Sequence, residues 1–441
     1  MHDFVYKKNE LFCEKVPITK IAKEVGTPFY LYSRHTLENH FRVFDSAFSS
    51  MPHLTCFSVK ANFNLAILRI MARLGGGADV VSGGELYRAL YAGNTPKKIV
   101  YSGVGKREEE IIYALEADIL MFNVESSQEL SLINRIAGRM RKKARIALRV
   151  NPDIDPRTHP YISTGLRENK FGINFKQALC EYARAQKLKN IEITGIDCHI
   201  GSQIVEISPF IEALKKVKAL MADLRKMGVT ISYLDLGGGL GITYDKEEPP
   251  HPGEYARSLM KELKGLRVTL VLEPGRVIAG NAGILVTQVL YTKKSNKKNF
   301  VIIDAGMNDL IRPSLYGSYQ KIQPVIRAKR GTMVADVVGP ICESGDFIAR
   351  NRLIQTPRAH ELIAVMGAGA YGFSMSSNYN SRPRIAEVLV HNDQFSIIRE
   401  RESYDDLIRG ERMPDDLKIS ESGITRSGDR RLNECGMWIA E

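Results

Sequence analysis

Cysteine is sparse in this chain, and no CxxC pair occurs. The six cysteines stand at positions 13, 56, 180, 198, 342 and 435 of 441 residues. Structural zinc sites and the disulfide frameworks of small secreted domains both need closely spaced cysteines. The sequence therefore predicts neither a metal site nor a disulfide framework.

Long apolar runs and targeting signals are also lacking. No run approaches the roughly 20 residues that span a bilayer. The N-terminal stretch MHDFVYKKNELFCEKV contains no apolar core followed by a small-residue cleavage site. We therefore expect neither a membrane partner nor secretion, and together with the cysteine spacing this indicates a reducing cytoplasm.

Acidic residues are outnumbered, since 62 Lys and Arg against 50 Asp and Glu give a formal net charge of +12. A basic chain can bind nucleic acid, but here the cations are scattered in short groups such as RMRKKAR and KKSNKK. No RNA-binding or DNA-binding module accompanies them. We predict no nucleic-acid partner, and a basic surface that suits anionic small molecules or maintains solubility.

The length, composition and hydrophobic pattern of the chain predict two globular domains, the first of them built from strand–helix units. The composition, 44% hydrophobic and 25% charged, is that of a globular protein, and 441 residues exceed one ordinary domain. Amphipathic stretches of helical period alternate with eight apolar runs of strand length: LTCFSV, ADVVS, KIVYSG, ILMFNV, ARIALRVN, TGIDCHI, SYLDLGG and VTLVLEP. Eight such units within about 250 residues predict a closed parallel (β/α)8 barrel of the TIM type.

After Glu273 the alternation of strand and helix patterns ends, and strand-like segments with few helices follow. These are RVIAGNAGILVTQVLYTKK, NFVIIDAG, TMVADVVGP, ELIAVMGAGA, IAEVLVHN and QFSIIRE. They predict a β-rich C-terminal domain of sandwich or barrel-like form. The predicted divisions are an N-terminal segment that packs on the β domain (1–27), the barrel (28–275), the β domain (276–410) and a loosely held tail (411–441).

Chemically active residues follow five of the predicted barrel strands. They are Lys60, Asp79, HIGSQ at 199–203, LGGGLG at 236–241 and EPGR at 273–276. Taken singly, each has an ordinary interpretation as a solvated lysine, a structural histidine, a tight turn or a strand end. Active sites of barrels lie at the C-terminal ends of the strands, so we expect all five to converge there.

This set of groups matches the chemical needs of pyridoxal 5′-phosphate (PLP). A lysine amine condenses with an aldehyde. Consecutive glycines let backbone N–H groups converge on a phosphate, and a carboxylate keeps a pyridine nitrogen protonated. A flat imidazole can stack on the ring. The apolar residues before Lys60 are expected to desolvate its amine and lower its pKa.

Nine longer motifs occur in order between about residues 28 and 407: FSVKAN, GADVVSGGEL, STGLRENKFGI, HIGSQ, LDLGGGLGI, EPGR, DAGMNDLIRPSLYG, GPICESGD and GAGAYGFSMSSNYNSRP. With them the chain resembles the fold-type III PLP-dependent amino-acid decarboxylases, which are built on an alanine-racemase-like barrel. The similarity is greatest to members that act on diaminopimelate. It implies decarboxylation of meso-2,6-diaminopimelate at its D-centre to L-lysine, the last step of lysine biosynthesis.

The resemblance also implies a role for each matching residue. Lys60 would bond covalently to PLP with Asp79 close by, His199 would stack on the ring, and Glu273 would pair with its nitrogen. The phosphate would be surrounded by Ser202, Gly238, Gly239, Gly275 and Arg276. Arg276 would also reach the substrate, and Tyr371 would contact both cofactor and substrate.

The far end of the substrate and the final proton transfer are assigned in the same way. Arg312, Tyr316 and Glu343 would hold the second amino-acid head group, and Cys342 would return a proton to the carbon after carbon dioxide leaves. Similar enzymes are homodimers with shared active sites, and Cys342 and Glu343 would reach across the two-fold axis. Arginine suits a carboxylate and glutamate suits an ammonium, so Arg312 and Glu343 together fit this head group.

Three alternatives stay open on the sequence. Ornithine or arginine decarboxylases typically carry a DG pattern where this chain has CESGD. An amino-acid racemase on the same barrel would need a tyrosine base in place of CESGD and a shorter second domain. A non-catalytic relative would normally have lost the lysine or the glycine loop, and both are intact here.

Overall fold

The computed structural model describes residues 2–155 and 170–417. Most of the motif STGLRENKFGI, and the part of the predicted tail from residue 418 onward, therefore lie outside the described residues. No helix in the described ranges is long and apolar enough to cross a membrane.

The N-terminal segment forms a small antiparallel sheet and one helix. Its elements are β1 (Phe4–Lys7), β2 (Glu10–Cys13), β3 (Val16–Pro17) and α1 (Ile18–Val25), followed by β4 (Phe29–Ser33). The N–H of Leu11 donates to the carbonyl of Val325 at 2.8 Å. Phe4, Leu11 and Ile21 share a buried apolar cluster with second-domain residues such as Ile284. The segment is therefore held against the second domain by apolar packing.

Eight parallel strands close into a barrel, as predicted. They are β5 (His53–Ser58), β6 (Gly77–Val80), β7 (Ile99–Tyr101), β8 (Met121–Val124), β9 (Ala144–Asn151), β11 (Ile191–Asp197), β12 (Tyr233–Asp235) and β13 (Thr269–Leu272), with the short β10 (Ile173–Asn174) beside β9. The ring closes because β13 pairs with β5 and β8 pairs with β9. All eight apolar runs named above coincide with barrel strands.

Helices connect these strands on the outside of the barrel. They are α3 (Leu65–Arg73), α4 (Gly83–Tyr91), α5 (Glu108–Ala117), α6 (Ser127–Arg139), α7 (Ala178–Gln186), α8 (Ser208–Lys226) and α9 (Pro252–Leu263), and α2 (Arg34–Ser46) leads from β4 into the first barrel strand. Side-chain caps set several starts: Asn64 accepts from the N–H of Ala66, and Ser82 accepts from the N–H of Glu85. Such caps satisfy backbone donors that a helix N-terminus leaves unpaired.

The polar side chains of the barrel interior are concentrated at one end. A separate buried cluster contains Cys56, Val100, Met121, Ala147 and Val271, each from a different barrel strand. Side chains alternate between the two faces of a strand, so a residue two positions later points the same way. Two positions after these five residues stand Ser58, Ser102, Asn123, Arg149 and Glu273. An apolar layer therefore lies beneath a polar layer at the C-terminal ends of the strands.

The second domain is a nine-stranded sheet with short helices. Its elements are α10 (Arg276–Ala279), β14 (Gly283–Lys294), β15 (Asn299–Ile303), α11 (Arg312–Tyr316), β16 (Ile322–Pro324), β17 (Thr332–Val338), β18 (Phe347–Gln355), β19 (Leu362–Val365), β20 (Ala386–His391), β21 (Gln394–Arg399) and α12 (Tyr404–Leu407). The main path runs β18-β17-β15-β14-β4-β20-β21, and β19 pairs with β14 and β16.

Two details of this domain differ from the sequence expectation. The segment from Arg276 begins as α10 and a 3-10 turn, and only β14 from Gly283 is extended, because Pro274 and Gly275 interrupt the strand direction before it. β4 pairs with β14 and β20 rather than with the barrel. The barrel domain was expected to begin at residue 28, but residues 29–33 belong to the sheet of the second domain. The all-buried sequence of β4 resembles that of a barrel strand, so pattern alone does not separate the two.

Candidate active site

A cleft opens at the polar end of the barrel. The second domain contributes one wall through Tyr371. Nine of the residues predicted from the sequence line it: Lys60, His199, Ser202, Gly238, Gly239, Glu273, Gly275, Arg276 and Tyr371. Residues that follow four different barrel strands therefore meet in one cavity, as the topology requires.

Lys60 lies at the floor of the cleft in the 3-10 turn that follows β5. Its Nζ is 2.7 Å from Oδ2 of the fully buried Asp79, and the hydroxyl of Ser58 is 2.9 Å from the same oxygen. Burial opposes the charged amine, but the charges of Asp79 and Glu273 outweigh it and raise the pKa of Lys60. The expectation of a lowered pKa was wrong, because it considered burial without the carboxylate on the neighbouring strand.

His199 is oriented by the glycine turn beside it. The N–H of Gly238 donates to Nδ1 of His199 at 3.2 Å, so a neutral ring carries its proton on Nε2. Burial, with the nearby charges of Arg149 and Lys60, holds the pKa of His199 well below its ordinary value. A Cβ on Gly237 would lie only 2.5 Å from Nδ1, so a side chain there would displace the ring.

The glycine turn itself has no room for side chains. A Cβ on Gly238 would collide with the carbonyl oxygen of Glu273, and one on Gly239 would lie 2.7 Å from the carbonyl oxygen of Gly201. Gly239 also has φ of +109°, a conformation that disfavours other residues. The chain here presents bare backbone to the cleft, which is the arrangement that suits an anionic group.

Glu273 is the buried carboxyl group of the cleft. Its Oε1 is 3.3 Å from Nδ2 of Asn123 and 3.4 Å from Oγ of Ser102. Nδ2 of Asn123 also donates to Oδ2 of Asp235 at 3.0 Å. Burial, followed by the charge of Asp235, raises the pKa of Glu273 well above its ordinary value, and burial raises the pKa of Asp235 to about 7. A cation placed against Glu273 would favour its ionised form.

Comparison with known proteins identifies the family. A family model described as "Pyridoxal-dependent decarboxylase, pyridoxal binding domain" matches residues 34–280. The diaminopimelate decarboxylase of Aquifex aeolicus is 53% identical over 404 residues, which cover 91% of this chain and 96% of that relative. This chain belongs to the diaminopimelate decarboxylase family. The predicted family is confirmed.

Further relatives agree with this assignment. The diaminopimelate decarboxylase of Haemophilus influenzae is 53% identical over 409 residues, covering 92% of this chain and 98% of the relative. A crystal structure of diaminopimelate decarboxylase from Helicobacter pylori complexed with L-lysine superposes with a TM-score of 0.86 at 44% identity, covering 89% of this chain and 98% of that chain.

The described residues fit the pyridoxal cofactor of this family. The glycine turn leaves bare backbone where a phosphate can bind, and Lys60 presents an amine in the same cleft. Oδ1 of Asp79 is buried and has no hydrogen-bond partner among the described residues. A buried acceptor that lacks a partner beside the Lys60 amine is expected where a bound molecule supplies the missing polar contact.

A second cluster of arginines and tyrosines borders the cleft. Arg276 is buried, donates to the hydroxyl of Tyr244 at 2.7 Å and to Oγ of Ser202 at 3.0 Å, and lies 4.9 Å from the ring centre of Tyr371. Arg312 is also buried and does not line the cleft. Its guanidinium lies 5.1 Å from the ring centre of Tyr244 and 5.9 Å from that of Tyr316. Tyr244 therefore links the two arginines.

Cys342 and Glu343 are two of the predicted residues that do not line the cleft of the single chain; the others are Asp79, Arg312 and Tyr316. Both are exposed in the loop between β17 and β18, and neither lines the cavity. The N–H of Cys342 donates to Oδ1 of Asn380 at 2.8 Å. Glu343 lies beside Tyr379, whose hydroxyl hydrogen-bonds with it and whose pKa this contact raises. Within the single chain, therefore, neither side chain forms part of the cleft that contains Lys60.

Several polar residues of the site were missed from the sequence, among them Ser58, Ser102, Asn123, Asp235 and Tyr244. All except Tyr244 lie in barrel strands or directly after them. A polar residue two positions after an apolar, inward-facing strand residue was the available signal, because an unpaired polar group inside a barrel is costly. Tyr244 follows β12 in an irregular loop and gave no such signal.

Proposed function

We propose that this protein catalyses the PLP-dependent decarboxylation of meso-2,6-diaminopimelate to L-lysine and carbon dioxide, the last step of lysine biosynthesis. The observation that carries the proposal is that Lys60, the bare glycine turn and the buried Glu273 line one cleft. The free thiols of the described cysteines support a cytoplasmic location.

The cofactor would be held by residues on opposite sides of the cleft. The backbone of Gly238, Gly239 and Gly275, with Ser202 and Arg276, would hold the phosphate. Lys60 would bond to the aldehyde carbon, and His199 would lie against the ring. Glu273 would face the ring nitrogen. When bound, PLP supplies an electron-poor ring that accepts the electron pair left when a carboxylate departs.

The chain's own residues bind, orient and exchange protons around that chemistry. Asp79 orients the Lys60 amine and would stabilise its charged form whenever that amine is not bonded to the cofactor. Glu273 would pair with the ring nitrogen and keep it protonated, which would maintain the electron deficiency of the ring. Arg276 and Tyr371 would orient the reacting end of the substrate. Cys342 would supply the proton that replaces the lost carboxylate, because a positioned thiol can act as a general acid.

Recognition of the far end of the substrate distinguishes this enzyme from relatives that act on simpler amino acids. Diaminopimelate carries a second carboxylate and a second ammonium group. Arg312, placed behind Tyr244 and beside Tyr316, offers a planar donor pair for the carboxylate. Glu343 would take the ammonium. Ornithine lacks the second carboxylate and would leave the buried Arg312 without its partner.

Carbon dioxide release from meso-diaminopimelate, ornithine, arginine and lysine tests the proposal directly. We expect diaminopimelate to exceed the others in kcat/KM by about 10⁴-fold, because a site that pairs a charged group rejects analogues that lack it. The measurement is the rate at which purified enzyme releases labelled carbon dioxide from each isotopically labelled substrate. Absence of release from diaminopimelate, or equal release from ornithine, would contradict the proposal.

The exposed position of Cys342 and Glu343 supports a homodimer with shared active sites. Both belong to the proposed β domain, residues 276–410, and neither approaches the cleft of its own chain. In a two-fold dimer each chain presents the same loop to the other, so both sites are completed alike. Each cleft would then contain Lys60 of one chain and Cys342 of the other.

A mixed dimer tests this arrangement. Lys60→Ala and Cys342→Ala homodimers are each expected to be nearly inactive, because each removes a group required in both sites. After the two are mixed and allowed to exchange subunits, about a quarter of wild-type activity should return, since a hybrid dimer has one intact site. Activity that stays at the level of the parents despite exchange, verified by mass spectrometry, would refute sharing.

A further inference from the structure

A buried carboxylate outside the cleft joins the two domains behind the turn that carries Lys60. Glu387 lies in β20 and is fully buried. The hydroxyl of Tyr32 donates to Oε1 at 2.8 Å. Asn64 Nδ2 donates to Oε2 at 2.8 Å, and Arg399 Nε donates to the same oxygen at 2.6 Å. None of these four residues lines the cleft. Breaking such a buried pair is costly, so the carboxylate constrains its partners strongly.

Asn64 transmits this constraint to the turn after Lys60. The N–H of Asn64 donates to Oδ1 of Asn62 at 3.1 Å, and Nδ2 of Asn62 donates to the carbonyl of Gly369 at 3.1 Å. One residue closer to Lys60, the carbonyl of Ala61 accepts from the N–H of Tyr371 at 2.8 Å. Two hydrogen bonds therefore join the turn after Lys60 to the segment around Tyr371, one between Asn62 and Gly369 and one between Ala61 and Tyr371.

Close packing leaves this joint little freedom. A Cβ on Gly369 would collide with the carbonyl of Ala279, and one on Gly372 would lie 2.7 Å from the ring of Tyr30. The guanidinium of Arg399 lies 4.7 Å from the ring centre of Phe373, which follows Tyr371 by two residues in the chain. A change in the position of Glu387 would thus be passed on to both segments rather than absorbed between them.

We propose that Glu387 is a positioning residue for the reaction: through Asn64 it holds the Lys60 turn and the Tyr371 segment in one arrangement at the floor of the cleft. The inference rests on the proposed function, because that function makes the placement of Lys60 and Tyr371 matter. Misplacement of a reacting group by about 1 Å can cost on the order of 100-fold in rate.

The variant Glu387→Gln tests this role. It keeps the shape of the side chain but turns one acceptor oxygen into a donor facing Asn64, Arg399 or Tyr32. We expect kcat to fall roughly 10- to 100-fold with KM for the substrate little changed. The dissociation constant of PLP for the apoenzyme should rise, and amide hydrogen exchange should accelerate in residues 61–66 and 369–373 more than elsewhere.

Glu361→Gln is the matched control, because Glu361 also pairs with an arginine of the β domain, Arg330, but in a partly exposed position directly before β19. It should leave all of these quantities at wild-type values. If Glu387→Gln does not fold, Tyr32→Phe, which removes a single donor, must show the same changes at smaller size.

The inference is overturned if Glu387→Gln, or Tyr32→Phe in its place, lowers only the melting temperature while kcat, PLP affinity and local exchange stay at wild-type values. Such a result would assign Glu387 to stability alone. Failure of the proposed function is a separate outcome, since it would appear as absent decarboxylation by the wild type. PLP affinity and hydrogen exchange would still decide the role of Glu387 in that case.

Discussion

Replacing Lys60 by alanine is expected to lower kcat on the order of 10³-fold or more, because the residue would act both as the covalent partner of the cofactor and in proton transfer. Lys60 is the one lysine among the described residues that line the cleft. The buried Lys106 cannot take over, since its amine is bonded to Glu129 and to the carbonyls of Gly103 and Asn123.

The measurement is the rate of carbon dioxide release, together with the visible absorbance of the cofactor bound to lysine. Lys60→Ala should lose both, whereas Lys176→Ala, which alters an exposed lysine, should lose neither. A Lys60→Ala enzyme that keeps more than about a tenth of wild-type turnover would show that another group performs the chemistry.

Glu273→Gln is expected to lower kcat by about 10²- to 10³-fold, the usual cost of removing one preorganised electrostatic group. Glutamine keeps the size of the side chain and can still meet Asn123, but it cannot balance a cationic ring nitrogen. Because Glu273 would act on the ring nitrogen of the cofactor and not on the substrate, the substrate KM should change less than kcat. Glu254→Gln, on the exposed face of α9, is the control. Wild-type kcat in Glu273→Gln would rule out the pairing.

The same variant should change how the stability of the apoenzyme depends on pH. The pKa of Glu273 is raised in the folded chain by burial and by Asp235. Its contribution to stability is therefore fully present below the unfolded pKa and is lost as the pH rises through the folded pKa. We expect the melting temperature of the wild-type apoenzyme to fall more between pH 5 and pH 8 than that of Glu273→Gln. An equal decrease in melting temperature for the two proteins would show that the loss of a proton from Glu273 does not cause the pH dependence.

The barrel was predictable because its signal is local and repeated. Eight short apolar runs, each followed by an amphipathic stretch, occur at regular spacing, and every run coincides with a barrel strand. The five strand exits were also local features, and the rule that barrel sites lie at the C-terminal ends placed Lys60, His199, the glycine turn and Glu273 together before any distance was known.

Features that depend on contacts between distant segments were not predictable in the same way. β4 has the composition of a barrel strand but pairs in the second domain, since its partners β14 and β20 lie more than 250 and 350 residues away in the chain. The pKa of Lys60 was predicted in the wrong direction for the same reason. Its environment is set by Asp79, which the sequence places 19 residues away and the barrel places at 2.7 Å.

The sequence by itself determined which residue types are available and the order in which the strands present them, because strand period, capping and glycine turns are local properties of the chain. Only the tertiary structure decided which of these residues meet. Closure of the barrel puts Asn123 between Asp235 and Glu273. Docking of the second domain puts Glu387 behind the Lys60 turn and leaves Cys342 outside its own cleft. Burial and charge act through space, so the chemistry of the site follows from the fold rather than from any single motif.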